Sequence, residues 1–149
     1  MITARQAAAC AAMLLTVAGC SDPAPDEEQI LARIEAMQSA LAEGRPRAFM
    51  APVSEDFSGA TLNLDRRAAR LLLRREMLSH EQLRARLIDI DINVKDQNRA
   101  TASFQAIVTG GSGLIPSTGR WYRVETGWRL EDGDWMLLSA RWTPVAGSR

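Results

Sequence analysis

The stretch from Tyr122 to Trp135, YRVETGWRLEDGDW, decides the fold because it carries the signature of a β-hairpin. Apolar and polar residues alternate along it, and the dipeptide Asp132-Gly133 favours a tight turn between two strands. A two-residue turn would pair Leu130 with Trp135. A three-residue loop, with Gly133 in the left-handed conformation, would pair Leu130 with Asp134 instead. We expect the second register because it gives both strands one continuous apolar face.

The expected register assigns each hairpin side chain to one of two faces. The inner, apolar face would carry Tyr122, Val124, Thr126, Trp128, Leu130, Met136, Leu138, Ala140 and Trp142. The outer face would carry two tryptophans and a leucine beside arginines, and a cluster of exposed apolar side chains often marks a partner surface. The predicted interface therefore consists of Trp121, Trp135, Leu137, Arg123 and Arg141. Cover by the N-terminal segment or a loop is the alternative explanation for these tryptophans.

Alternating sequence predicts four antiparallel strands in the second half of the chain. The predicted strands are 83–95, 100–108, 121–130 and 135–143. The alternation changes phase at Leu87–Ile88, and a β-bulge there would keep the apolar side chains on one face. Asp89 and Asp91 share the opposite face, where we expect solvent rather than a metal. The loop Gly110–Gly113 is followed by neither a lysine nor a helix start, so it is not a phosphate-binding loop.

Helical periodicity and capping residues predict three helices in the first half of the chain. The predicted helices are 26–43, 46–51 and 66–78. Asp26 and Asp65 would cap the first and third helices through their side chains. Residues 53–63 are expected to form a connector. The polar side of the third helix carries Arg66, Arg67, Arg70, Arg74 and Arg75.

These elements predict an α+β domain with three N-terminal helices packed on a curved, four-stranded, mainly antiparallel sheet. Between Glu27 and Pro144 the chain resembles the nuclear transport factor 2-like (NTF2-like), or cystatin-like, family, most closely at Tyr122–Trp135 and at Ala48–Phe57. It also resembles uncharacterised envelope lipoproteins of that fold. The resemblance implies a cone-shaped domain with a pocket between sheet and helices. This fold hosts isomerases, dehydratases, adaptors and secretion components, so it does not define a function.

The N-terminus has the three parts of a secretory signal: Arg5, an apolar stretch from Ala7 to Val17, and small residues before a cysteine. Val17-Ala18-Gly19-Cys20 resembles the lipobox of bacterial lipoproteins. The resemblance implies cleavage before Cys20 and acylation of its thiol, and Ser21 implies sorting to the outer membrane, facing the periplasm. An ordinary secretory signal with a chance cysteine is the alternative. The predicted divisions are 1–19 (signal), 20–26 (lipidated linker), 27–145 (domain) and 146–149 (tail).

Composition excludes several classes of protein. Eighteen basic and eighteen acidic residues balance, so net charge indicates neither a nucleic acid nor an acidic membrane surface as partner. The two cysteines, Cys10 and Cys20, both precede the domain and cannot staple it. With one histidine in the chain, a Cys/His zinc site is excluded. We expect neither a metal nor another cofactor.

Three side chains are the candidates for acid–base chemistry in the pocket. Glu76 and His80 are four residues apart and would share the apolar side of the third helix if that helix extends so far. Tyr122 is the chain's one tyrosine and would be a phenolic donor on the inner sheet face. The alternative is structural: His80 caps the helix, Glu76 pairs with an arginine, and Tyr122 packs.

These observations support three hypotheses about function. The first is a lipid-anchored periplasmic domain, without evident catalytic apparatus, that binds a protein partner or a small apolar ligand. That partner could be a second copy of the chain or an envelope protein. The second hypothesis is a small isomerase or dehydratase that uses Glu76, His80 or Tyr122. The third is a structural subunit of an envelope complex.

Overall fold

Three helices and a six-stranded mixed sheet make up the described part of the chain. The computed structural model describes residues 24–80, 82–110 and 119–145. The elements are α1 (Asp26–Ala42), α2 (Pro46–Met50), β1 (Val53–Gly59), β2 (Leu64–Asp65), α3 (Arg66–Ser79), β3 (Arg84–Asp96), β4 (Arg99–Thr109), β5 (Arg120–Glu131) and β6 (Asp134–Pro144). The strand order is β2-β1-β6-β5-β4-β3. The α+β class and the helix count are confirmed, whereas the expected four-stranded sheet is wrong.

The two additional strands come from the segment that was expected to be a connector. β1 pairs in parallel with β6, and Leu137 N donates to Pro52 O at 2.7 Å. β2 pairs antiparallel with β1 at the sheet edge. The sequence of β1, VSEDFSG, has no regular alternation, and its burial pattern is irregular as well. Its strand conformation therefore depends on pairing with β6, which local periodicity does not report.

The β5–β6 hairpin has a two-residue turn followed by a bulge, so the expected three-residue loop is wrong. Asp132 and Gly133 both have positive φ, at 51° and 88°, and Leu130 pairs with Trp135. Farther along, Trp128 pairs with Leu137 but Gly127 pairs with Ser139. Leu138 is therefore the extra residue of a β-bulge in β6. Beyond it the pairs return to the expected faces, as Thr126 lies opposite Ala140 and Val124 opposite Trp142.

The bulge overturns two of the five residues of the predicted interface. Before it, Trp135 and Leu137 point inward; after it, Ala140 and Trp142 do. Trp135 is 0% exposed and Leu137 is 6% exposed, so neither belongs to an outer patch. Met136, expected on the inner face, lies opposite Arg129 instead. The two tryptophans that were expected together are thus separated, because Trp121 stays on the surface at 38% exposure.

A tryptophan at the start of β6 joins the sheet to the first helix. Trp135 Nε1 donates to Asp26 Oδ1 at 3.0 Å, and Arg33 of α1 forms an ion pair with Asp134. Asp26 therefore does not cap α1 with its side chain, contrary to expectation; Pro25 occupies the N-cap position. Ile30 and Ile34 of α1 pack into the core beside Trp135.

The remaining local predictions are largely confirmed. Asp65 caps α3, since its Oδ1 accepts from Ala68 N at 2.7 Å. The bulge in β3 lies between Ile88 and Asp91, slightly later than expected, with Asp89 at φ 55°. Asp89 and Asp91 are exposed on the outer face, as expected, and Asp89 accepts a hydrogen bond from Gln105 Nε2 at 2.9 Å.

The burial of Trp135 makes a direct prediction about stability. Trp135→Ala should lower the free energy of unfolding by about 3–5 kcal/mol, because it opens a core cavity and leaves Asp26 without its donor. The matched change Trp121→Ala should lower it by about 1 kcal/mol or less, because that side chain is partly in solvent. Urea denaturation measures both values. Similar losses for the two variants would contradict the corrected register.

Candidate ligand cavity

A cavity of about 290 Å³ lies between the helices and the inner face of the sheet. All three helices and strands β1, β3, β4, β5 and β6 contribute to its walls. Its aromatic walls are Phe49, Phe57, Phe104, Trp128 and Trp142. Alanines occupy the positions between them, where larger side chains would fill the space: Ala69, Ala85, Ala106 and Ala140. The curved sheet and these alanines together leave the cavity open.

Two lining residues have polar side chains, Gln38 and Thr126. The Thr126 hydroxyl donates to Ala102 O at 3.0 Å and accepts from Trp128 Nε1 at 2.9 Å. Gln38 Nε2 donates to Ala85 O at 2.7 Å, and no hydrogen bond to Gln38 Oε1 is found within the described residues. The hydroxyl of Thr126 is therefore occupied by the fold, and the surface that the described residues present to the cavity is almost wholly apolar.

The predicted acid–base residues do not line this cavity. His80 Nδ1 lies 3.0 Å from Glu76 O and 3.8 Å from Glu76 Oε2, at the C-terminal end of α3. Their side chains are 39% and 42% exposed, respectively. Tyr122 lies in β5, where it pairs with Ala106 of β4 and Pro144 of β6, and it is not one of the residues that line the cavity. α3 ends at Ser79, and His80 is its extended C-cap, so the two side chains do not share a helical face as expected. They are partly exposed and lie outside the cavity lining, with His80 beside the last carbonyls of the helix, as the structural alternative predicts.

A second depression lies on the opposite, outer face of the sheet. Small and charged residues line it, including Ser103, Glu125, Gly127, Ser139 and Arg141. A Cβ on Gly127 would come within 2.6 Å of Ser139 Oγ, so the glycine permits close contact between these strands. Of the predicted interface, Trp121, Arg123 and Arg141 are exposed and lie on this face. Their role in binding a partner stays a prediction.

An ion cluster that lies outside the cavity and outside the outer depression connects β5 to β1 across β6. Arg129 Nη2 lies 2.7 Å from Asp56 Oδ2 and 2.6 Å from Glu131 Oε1, and Ser54 Oγ donates to Glu131 at 2.8 Å. The hydrogen bond that Arg129 donates to Asp56, and to a smaller extent the one it donates to Glu131, raises the pKa of the guanidinium above its ordinary value. These groups satisfy one another, so the cluster supports the sheet and leaves no free reactive group.

The remaining predictions lie outside the described residues. These are the signal at 1–19, the acylation of Cys20, most of the linker and the tail at 146–149. Within the described ranges, no helix is both long enough and apolar enough to cross a bilayer. The same part of the chain contains no group of three or more His, Cys, Asp or Glu side chains placed to hold a metal.

The described architecture has the NTF2-like, or cystatin-like, fold. A protein of unknown function from Nostoc punctiforme aligns with a TM-score of 0.67 and 15% identity, covering 84% of this chain and 95% of that one. A candidate dehydratase of the NTF2-like family from Streptomyces avermitilis aligns with a TM-score of 0.71 and 16% identity, covering 82% of this chain and 97% of that one. A candidate scytalone dehydratase from Novosphingobium aromaticivorans aligns with a TM-score of 0.71 and 14% identity, covering 80% of this chain and 83% of that one. No protein-family profile and no curated protein matches the sequence.

Proposed function

We propose that this protein binds a small, neutral, predominantly apolar molecule in the cavity, and that it does so as a lipid-anchored domain of the bacterial envelope. The cavity carries the proposal. The described residues line it almost entirely with apolar surface. Pockets that bind small molecules are lined predominantly by hydrophobic and aromatic side chains.

The volume of the cavity limits the size of the ligand. An engineered apolar cavity of about 150 Å³ accommodates benzene, and drug-sized ligands occupy about 300–1,000 Å³. At about 290 Å³, this cavity suits a molecule roughly twice the size of benzene, such as a bicyclic compound or a medium-length alkyl chain. A longer acyl chain would have to extend beyond the described walls.

The apolar surface of the cavity favours a neutral ligand over an anion. Among the described residues, the lining contains no arginine, lysine or histidine to neutralise a buried carboxylate. Because an unpaired buried charge is strongly unfavourable, a neutral alcohol should bind better than the corresponding acid.

The two candidate dehydratases of similar fold raise the alternative of an enzyme. Such chemistry requires a general acid or base within hydrogen-bond reach of the substrate. Here Glu76, His80 and Tyr122 lie outside the cavity lining, and neither Gln38 nor Thr126 titrates in the physiological range. A shared fold does not transfer an activity, so binding without proton transfer is the function that this cavity supports best.

The lipobox-like Val17-Ala18-Gly19-Cys20 supports the proposed location. Acylation of Cys20 and a second acyl group on the new N-terminus would give stable membrane attachment, and Ser21 supports the outer membrane on its periplasmic side. Trp121, Arg123 and Arg141 on the outer sheet face form the surface proposed for a second copy or an envelope protein. As a structural subunit, the protein would use the same surface.

Filling the cavity should abolish ligand binding. The full chain with Cys20→Ser is titrated with 1-naphthylamine, a neutral bicyclic probe whose emission shifts to the blue in apolar surroundings. Ala69→Phe should weaken the cavity component of binding by at least about tenfold, because the added ring occupies part of the lining volume. Ala36→Phe, an exposed position on α1, is the matched control and should bind like the parent. Equal binding by all three proteins would exclude the cavity as the site.

Loss of the thiol at position 20 should release the protein from the membrane. In cell fractionation, the parent should sediment with membranes and the Cys20→Ser variant should not, unless an uncleaved signal retains it. Mass spectrometry of the N-terminus distinguishes these cases by showing the acyl groups and the cleavage site. A Cys20→Ser protein that is cleaved and still sediments with membranes would contradict the anchor.

A further inference from the structure

The exposed side of α3 combines four arginines with two leucines. Arg67, Leu71, Arg74 and Leu78 follow one another along a single stripe of the helix, at i, i+4, i+7 and i+11. Leu71 is 56% exposed and Leu78 is 89% exposed. Arg70 and Arg75 flank this stripe and are exposed as well. We call this set of six residues the α3 face.

The positive charge of the α3 face is uncompensated within the described residues. Arg66, at the start of α3, pairs with Glu55 at 3.0 Å and donates to Val53 O. No ion pair is found for the other four arginines of the helix within the described ranges. The balanced charge of the whole chain therefore conceals a local excess, because α3 has five arginines and one glutamate.

Packing does not require this arrangement. Ala69 and Leu73 hold α3 against the core, and no residue of the helix is fully buried. Leu71 and Leu78 lie on the other side, where they contribute little to the fold. Exposed leucines surrounded by arginines match an anionic membrane surface, since the apolar side chains can enter the interface while the guanidinium groups contact headgroup phosphates.

Contacts within the fold connect the start of α1 to the start of α3 through β6 and β1. Asp26 is bonded to Trp135 at the start of β6, and Leu137, two residues later, pairs with Val53. Val53 O in turn accepts from Arg66 Nε at 3.0 Å. The segment from Cys20 to Asp26 can span roughly 20 Å when extended, so an anchor at Cys20 would keep the domain, and α3 with it, within reach of the bilayer.

We propose that the α3 face docks on an anionic lipid surface and thereby fixes the orientation of the domain on the membrane. The proposal rests on the proposed membrane location. The acidic first turn of α1, with Asp26, Glu27 and Glu28, is repelled by the same surface, which favours contact through α3 alone. An acidic protein is the competing partner that the experiment must separate.

A fluorescent label beside the face reports docking directly. Ser79, exposed at the end of α3, is changed to Cys in the full chain with Cys10→Ser and Cys20→Ser, and carries an environment-sensitive dye. Vesicles of phosphatidylcholine with 30% phosphatidylglycerol, about a third anionic lipid, should shift the emission to the blue, and pure phosphatidylcholine should not. Label at Asn93, exposed on the outer sheet face, should not respond to either vesicle.

Matched variants separate docking from simple charge attraction. Replacing Arg67, Arg70, Arg74 and Arg75 with Gln should weaken partition roughly a hundredfold, since each arginine near an anionic surface contributes substantially. Replacing Arg84, Arg86, Arg99 and Arg120, which are exposed on the sheet and outside the proposed partner surface, with Gln removes the same charge and should leave most of the response. Leu71→Ser with Leu78→Ser should abolish the blue shift.

Two outcomes would overturn the proposal. One is an unchanged emission at position 79 with anionic vesicles; a response to polyglutamate in that case would indicate an acidic protein instead. The other is an equal loss in the two four-arginine variants. Neither outcome affects the proposed function, because the naphthylamine probe and the fractionation of Cys20→Ser do not involve the α3 face.

Discussion

The bulge at Leu138 is the constraint on which the rest of the structure depends. Strand side chains alternate between faces, so Trp135 and Leu137 could not point inward together with Ala140 and Trp142 without an extra residue between them. The bulge supplies this extra residue, Leu138. On the turn side of the bulge the indole of Trp135 fills the core and bonds to α1, and on the other side Ala140 and Trp142 line the cavity.

The cavity follows from this arrangement together with the small residues of the inner face. Near the turn, Trp135 packs in the core with Ile30 and Ile34 of α1, and Leu137 pairs with Val53 of β1. In the middle, Ala106 and Ala140 leave space that Phe104 and Trp142 surround but do not fill. Binding of a ligand there would recover contacts that the empty cavity lacks, because atoms next to a void lose part of their dispersion energy.

The sequence predicts the elements whose signals are local and misses those that depend on distant pairing. The Asp65 cap and the extent of α3 were predictable because both are determined within a few residues. β1 was not, since its strand is imposed by β6. In β6, unlike β3, Met136, Leu138, Ala140 and Trp142 alternate without a break, so no change of phase in the sequence marks the bulge at Leu138. Burial of Trp135 was missed because one continuous alternation was assumed for the whole hairpin. The cavity residues were predicted only as core, and His80 was expected to extend α3 whereas it caps the helix outside the cavity lining.

Competition between an alcohol and an acid of equal length tests the central claim, that the cavity selects a neutral apolar ligand, most directly. Decanol and decanoate are titrated at about pH 8, where the acid is ionised, against naphthylamine bound to the Cys20→Ser chain. The account predicts displacement by decanol at concentrations at least about tenfold lower than by decanoate, because none of the described residues that line the cavity is a cation that could pair with a carboxylate. Equal or stronger displacement by decanoate would contradict it.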